Sequence, residues 1–333
     1  MPESPKISSS EIGVLWITYQ QNTMILRMLE YFIEHADDDQ AKQILVDVYE
    51  DIKPYATKIE NIFQTEGAAI PVGFKADDVN IGAPKLFDNG FDILFIRLMK
   101  EISMGMHTLN LNMCYRPDIV MMMRELTNIT QRCYDKCTEY LLEKGILTRS
   151  PYVQIPKNVE FVQEVGYLSG FNLFKEKRPL NVVETAHLHH TIESNMVGMQ
   201  LILGFSQCAN EKEVKQYLGE GAAISKEIIK TISNILLDSS LQVPSTPGGN
   251  VTGSTVPPFS DKMMMYCVSL FCSFAIGGSS LGTAFSQRND LVEKITKIMQ
   301  DIFAYAHKGA KLMIQHGWLE EPPQTKNNKK SPK

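Results

Sequence analysis

Along most of this chain apolar positions recur at three- and four-residue spacing, which marks amphipathic helices rather than strands. Read in order, the pattern predicts eight long helices over 11–35, 40–66, 88–115, 118–144, 184–208, 212–238, 261–287 and 290–316. The polar punctuation agrees. Ser8 to Glu11 and Asn181 to Glu184 each fit a capping box, and Asp290 to Glu293 repeats the pattern, with Asp118 an N-cap in the equivalent place. Gly145 and Gly317 stand where a left-handed C-cap is expected.

The eight helices are two sets of four. Shifting the chain by 173 places Glu11, Leu15, Thr18, Asn22 and Phe32 on Glu184, Leu188, Thr191, Asn195 and Phe205. A one-residue gap makes the shift 172, and Phe87, Leu98, Gly105, Arg116 and Gly145 then meet Phe259, Leu270, Gly277, Arg288 and Gly317. Ordered identities over a whole domain length identify a tandem duplication.

Loop lengths choose the topology. Helices one and two of each copy are joined by a few residues, as are three and four, so each pair is antiparallel. Between helices two and three lie about 20 residues rich in Gly, Pro, Ser and Thr, which is long for a compact domain. One long crossover between two antiparallel pairs is the connectivity of ferritin-like bundles. The expected fold is therefore all-α: two tandem ferritin-like four-helix bundles, each with one long crossover between helices two and three. The domains are 1–147, a connector over 148–180, 181–320, and a polar tail over 321–333 expected to be disordered. Val159 to Phe174 is apolar enough to dock on a bundle.

Composition narrows the classes. The 333 residues are 44% hydrophobic and 21% charged, which supplies cores for two domains and excludes wholesale disorder. A net charge of −5 argues against a nucleic-acid binder. The polar N-terminus and the absence of a long apolar run predict neither a signal peptide nor a membrane span, hence a cytoplasmic protein. Six cysteines inside apolar segments read as reduced, packed thiols.

Several segments together resemble an uncharacterised family of spore-forming Firmicutes, classed as a domain of unknown function. They are Leu15 to Tyr19, Ile70 to Phe74 with Asp77 to Asn80, Phe161 to Gly170 with Arg178 to Leu180, Ser254 to Lys262, and Gly317 to Pro323. The resemblance spans nearly the whole chain. It implies tandem ferritin-like bundles in an intracellular or spore-associated protein, and it implies no activity.

A di-metal bundle needs a Glu from each of two helices and a Glu-x-x-His from each of the other two. That set is missing from both copies, no catalytic residue is assigned, and the reading leans away from an enzyme. The one Glu-x-x-His runs from Glu184 to His187, followed by His189, His190 and Glu193. Leu188, Ile192, Asn195, Met199 and Ile202 define the apolar face of that helix, which leaves His187 about 110° from its centre and His190 nearly opposite. A capped first turn with surface histidines is the plainer reading. The sharper one is a single iron, zinc or manganese ion on His187, His190 and Glu184, with His307 as a further ligand.

Asn22 and Asn195 are matched amides on an apolar face. They form either an interhelical bond that fixes register or, with Tyr19 and Thr191, the wall of a polar pocket. Arg116 and Arg288 are expected to pair with a helix-three C-terminus or a carboxylate across the bundle. Gly105 and Gly277-Gly278 suggest close helix approach, and Cys133 and Cys137 share a face. The runs Met121–Met123 and Met263–Met265, with Met104, Met106 and Met113, are core filler or the lining of an apolar cavity.

Three functional readings follow. The first is a non-catalytic bundle protein acting through binding or assembly, with a protein partner or a second copy, in sporulation. The second is a metalloprotein with one degenerate site in the second copy. The third is a carrier of a small apolar ligand in a Met-lined cavity.

Overall fold

The computed structural model describes residues 5–147, 149–170, 177–244 and 249–324. Among the described residues eight α-helices carry the fold: α1 (Ser9–Glu34), α2 (Asp39–Thr65), α3 (Phe91–Leu111), α4 (Pro117–Glu143), α5 (Val182–Cys208), α6 (Lys212–Asp238), α7 (Asp261–Phe285) and α8 (Asn289–Gln315). The all-α class and the two tandem halves match expectation. Within each half the tight loops produce the antiparallel pairs α1–α2, α3–α4, α5–α6 and α7–α8.

Caps fix the ends. Ser8 and Asn181 both form complete capping boxes with Glu11 and Glu184. Gly145 and Gly317 adopt φ of +66° and +68°, and the amides of Ile146 and Trp318 reach back to Leu141 and Met313. At α4 and α8 the expectation fails by two residues. The N-caps are Arg116 and Arg288, and Asp118 and Asp290 stand inside the first turn, where each accepts from the guanidinium two residues before it.

Glu11 and Glu184 do more than cap. Glu11 is 2% exposed, and its Oε1 accepts from the amides of Tyr115 (2.9 Å) and Arg116 (2.7 Å) just beyond α3. Glu184 is 1% exposed and accepts from the Gln287 amide (3.0 Å) beyond α7. The start of the first helix is thus tied to the end of the third, so α1 runs antiparallel to α3, and α5 to α7. Arg116 also pairs with Glu66, while Arg288 donates to the Arg178 carbonyl at 2.8 Å.

The crossovers depart most from the sequence reading. They are not loops lying each on its own half, because they pair with one another. Phe87–Asp88 (β1) runs antiparallel to Asn250–Val251 (β2), with Phe87 opposite Val251. Val79 bridges Phe259, which the 172-residue shift makes the same pairing a second time. The amides of Asn80 and Ser260 complete it, bonding the carbonyls of Pro258 (2.8 Å) and Asp78 (2.9 Å). The first strand residues are drawn out of α3, which therefore starts at Phe91 and not at 88.

The pairing merges the two cores. Phe87, from the first half, packs 6.2 Å from Phe205 on α5, and Phe259, from the second, lies 5.3 Å from Tyr31 and 6.3 Å from Phe32 on α1. Phe205 and Phe32 are equivalent positions. Each crossover therefore delivers a phenylalanine to the other half's first helix, and burying aromatic rings this way contributes several kcal/mol per ring by order of magnitude.

The connector, one apolar helix and the tail bear on further expectations. In the connector, Phe161 and Val165 are 80% and 86% exposed, so the described part of its middle does not dock there as expected. Tyr167 nearby is held, with the Arg178 guanidinium 4.0 Å above its ring. One helix, α7, does meet the length and composition of a membrane span, with mean hydropathy 1.5 over its best window, because its Ser, Gly and Cys residues carry no charge. Its Met263, Met264, Met265, Cys267 and Val268 are buried in the bundle. The polar tail expected over 321–333 lies outside the described residues from 325 onward, and the connector residue Phe174 lies outside them too.

Candidate functional site

All six cysteines are buried and unbridged. Burial pushes the thiols of Cys208 and Cys272 up to about 12 and that of Cys114 up to about 11, so they are protonated near neutrality and poor nucleophiles. Among the described residues no group of three or more His, Cys, Asp or Glu is placed to hold a metal ion.

The proposed metal ligands separate. Glu184 is engaged by its cap, by Gln287 and by Arg178 at 2.8 Å and 2.9 Å. His307 is exposed on α8. His187 and His190 do come together, on the wall of a cavity of about 90 Å³ inside the second half. The wheel placed both outside the apolar face, yet α5 also meets α3 of the first half, which covers its other side. His190 Nε2 lies 2.8 Å from Glu101 Oε1 there, and this hydrogen bond raises the imidazole pKa against burial. Beside it Arg97 reaches Glu193 at 2.8 Å and Tyr134 at 2.6 Å. His187 is shifted the other way, by burial and by the neighbouring His190, and it stacks on Phe285 at 5.8 Å. His189, read as a surface residue, is 4% exposed.

The matched asparagines are not matched in structure. Asn195 lines the cavity with Thr191 and donates to the Thr191 carbonyl of its own helix at 2.8 Å. Asn22 is buried with its Nδ2 lacking a partner, so neither amide nitrogen makes the interhelical bond expected. Tyr19, the fourth pocket candidate, donates to Glu60 at 2.6 Å in the first half.

The cavity lies among α5, α6, α7 and α8, with Leu98 of α3 at one side. Its polar residues are gathered mainly on α5, and the remaining walls are chiefly isoleucine, phenylalanine and small residues. Among the described residues no methionine lines it, contrary to the Met-lined cavity expected; Met263, Met264 and Met265 fill the core elsewhere. Tyr305 closes one side. Its ring is stacked parallel on Tyr217 at 4.2 Å, and each hydroxyl donates to the other's carbonyl, at 3.2 Å and 3.3 Å. That clasp requires Gly221 and Gly309, where a Cβ would collide with the opposing tyrosine hydroxyl.

Position-by-position comparison of the copies explains why the space exists. Gly198, Gly221, Ser225 and Gly278 of the second half correspond to Ile25, Val48, Ile52 and Met106 of the first. Ser194, Cys272 and Ser279 correspond to Gln21, Lys100 and His107. At every one of these positions the cavity copy carries the smaller side chain. The glycines read as close-approach points are not: a Cβ at Gly105, Gly277 or Gly278 would meet nothing within 4 Å, and while Gly278 lines the cavity, Gly105 and Gly277 are exposed. Sequence reasoning missed this set, although the size difference between aligned copies was its signal.

The first half fills the same interior with polar bulk. Lys100 is 3% exposed, and burial drives its amine pKa down. His107 is pushed down to about 4 by burial and by Lys100, with its Nδ1 unpartnered.

A groove of about 730 Å³ between α6 and α8 adjoins the cavity, sharing Ile224, Ile228, Ile298 and Tyr305 with it. Lys308–Glu220 (2.5 Å) and Lys297–Asp301 (3.8 Å) are ion pairs on its rim.

A family model described as "Protein of unknown function (DUF3231)" matches residues 1–159 and again residues 168–330. No curated protein matches the chain. Among solved structures, one from Bacillus halodurans C-125, described as "a putative spore coat protein", is similar at 17% identity over 45% of this chain and 98% of that one, with a TM-score of 0.43.

Proposed function

The chain belongs to this DUF3231 family of unknown function, and we propose that it is a non-catalytic, ferritin-like bundle protein that binds a small apolar molecule in its second half. The long crossovers and the antiparallel run of α1 against α3 support the ferritin-like reading. The observation that carries the binding reading is the loss of side-chain volume at one set of equivalent positions. Duplicated bundles start with equal interiors, and the second opens a cavity where the first places Ile25, Val48, Ile52 and Met106. An apolar cavity of about 150 Å³ holds benzene or xenon; this one is smaller, about 90 Å³, so a one-ring ligand needs side chains to shift or extends toward the adjoining groove.

The test is uptake of toluene by the full chain, followed by calorimetry and by shifts in methyl resonances. Saturable binding that Gly278→Leu abolishes is expected, since that side chain would enter the cavity. No saturable uptake by the folded wild-type chain would overturn the reading.

A second reading is assembly, which suits the sporulation setting that the family resemblance implies. Leu109 and Leu281, equivalent in the two halves, are 62% and 59% exposed, and Met113 and Phe285 repeat the equivalence one turn later. A dimer in light scattering that Leu109→Glu with Leu281→Glu dissolves would favour it.

A further inference from the structure

The cavity's polar wall has a definite hydrogen-bonding character. Thr191 donates its hydroxyl to the His187 carbonyl at 2.8 Å, and Ser194 donates to the His190 carbonyl at 2.9 Å. Asn195 gives an amide N–H to the Thr191 carbonyl at 2.8 Å. These donors are turned back along α5. What the three side chains keep for the cavity is oxygen: two hydroxyl lone-pair sets and Asn195 Oδ1, beside one remaining amide N–H. Across from them Ser225 on α6 and Ser279 on α7 bring hydroxyls that make no side-chain hydrogen bond to a described residue.

Charge is the second constraint. Among the described residues no Asp, Glu, Lys or Arg lines the cavity, and His190 is already paired with Glu101. An anionic ligand would find no free cation there and an ammonium no carboxylate, and either would be desolvated without compensation. A purely apolar ligand would cover the acceptors of α5 and leave them unpaired.

Resting on the reading that this cavity binds a small apolar molecule, we propose that its ligand is a neutral compound carrying one hydroxyl group, a small alcohol or phenol. Its hydroxyl donates to the oxygen wall of Thr191, Ser194 and Asn195 and accepts from a serine opposite. A hydroxyl satisfies both sides because it is donor and acceptor at once. The apolar body lies against Ile202, Ile228 and Ile302.

The experiment compares phenol, toluene and benzoate, which are similar in shape and differ at one group, by calorimetry on the full chain. Phenol is expected to bind about tenfold or more tightly than toluene, the discrimination typical of a site whose polar groups would otherwise go unpaired. Benzoate is expected to bind more weakly than phenol. Asn195→Leu with Thr191→Val should remove the preference for phenol while toluene still binds. Toluene binding as well as phenol to the wild-type chain would overturn the hydroxyl assignment and leave the cavity reading standing, as would equal binding of benzoate. Binding of none of the three by folded protein would overturn both. The wild-type comparison decides even if the double variant fails to fold.

Discussion

The ring of Phe87, from the crossover of the first half, occupies the place where a side chain on Gly204 of α5 would stand. Gly204 is buried in a helix, where glycine is otherwise unfavourable, so its presence answers the ring that crosses from the other copy. The equivalent position in the first half is Tyr31, and there Phe259 meets a ring at 5.3 Å.

This contact makes Gly204→Ala destabilising despite the better helix propensity of alanine. Forcing a methyl into a filled core costs about 1–3 kcal/mol, against roughly 1 kcal/mol of propensity gained. Gly277→Ala is the control, since nothing lies within 4 Å of a Cβ there and a stabilisation of roughly 0.5–1 kcal/mol is expected. Thermal denaturation of the two variants beside the wild type checks the opposite signs.

Glu11 gives a pH dependence. Burial alone would raise its pKa, but the hydrogen bonds from Ser8, Arg116 and Tyr115 outweigh it and hold the carboxyl down from 4.5 to about 2. A group whose folded pKa is depressed adds stability above its unfolded pKa, and loses it as pH falls through the folded one. The contribution is therefore complete above about pH 5 and fades toward pH 2, with a size of roughly 3 kcal/mol at about 1.4 kcal/mol per tenfold change in proton affinity. Urea titrations of Glu11→Gln and the wild type should differ by that order at pH 7 and converge near pH 2. A constant difference across the range would contradict this account.

Lys100 offers the opposite case, a buried amine whose pKa burial has lowered. The unfolded chain then binds the extra proton, so stability rises with pH between the depressed folded pKa and 10.5. Lys100→Met, similar in length and without the charge, should raise the melting temperature at pH 7 and flatten that slope. A lower melting temperature would mean that Lys100 has a stabilising partner.

Metal content is a separate expectation. With Glu184 engaged by Arg178 and Gln287, His190 by Glu101, and His307 exposed on α8, the proposed ligands do not converge. Elemental analysis of protein purified without chelator is expected to find well under one equivalent of iron, zinc or manganese. A stoichiometric ion lost in His187→Ala would instead support the single-metal reading.

The histidines of α5 show how far sequence reading reached. A helical wheel assumes one buried face, and on that assumption His187, His189 and His190 faced solvent. In the fold α5 is packed by its own bundle and by α3 of the other half, so His189 is buried and His190 meets Glu101. The arginines are expected to pair with a helix-three C-terminus or a carboxylate across the bundle; in the fold both pair locally, with Asp118 and Asp290, which the sequence pattern reads as caps, and Arg116 also reaches Glu66.

By itself the sequence determined the eight helices, the duplication, the two capping glutamates and the two left-handed glycine ends. Those features depend on spacings of three or four residues and on backbone groups close along the chain, so local pattern suffices. Only the tertiary structure decided that the crossovers exchange between halves, that Phe87 needs Gly204, and that Gly198, Gly221 and Gly278 border one cavity. Each of these joins residues on different helices or different copies. A glycine that borders space and a glycine that admits a neighbour's ring look the same in a sequence, and what stands opposite is set by packing.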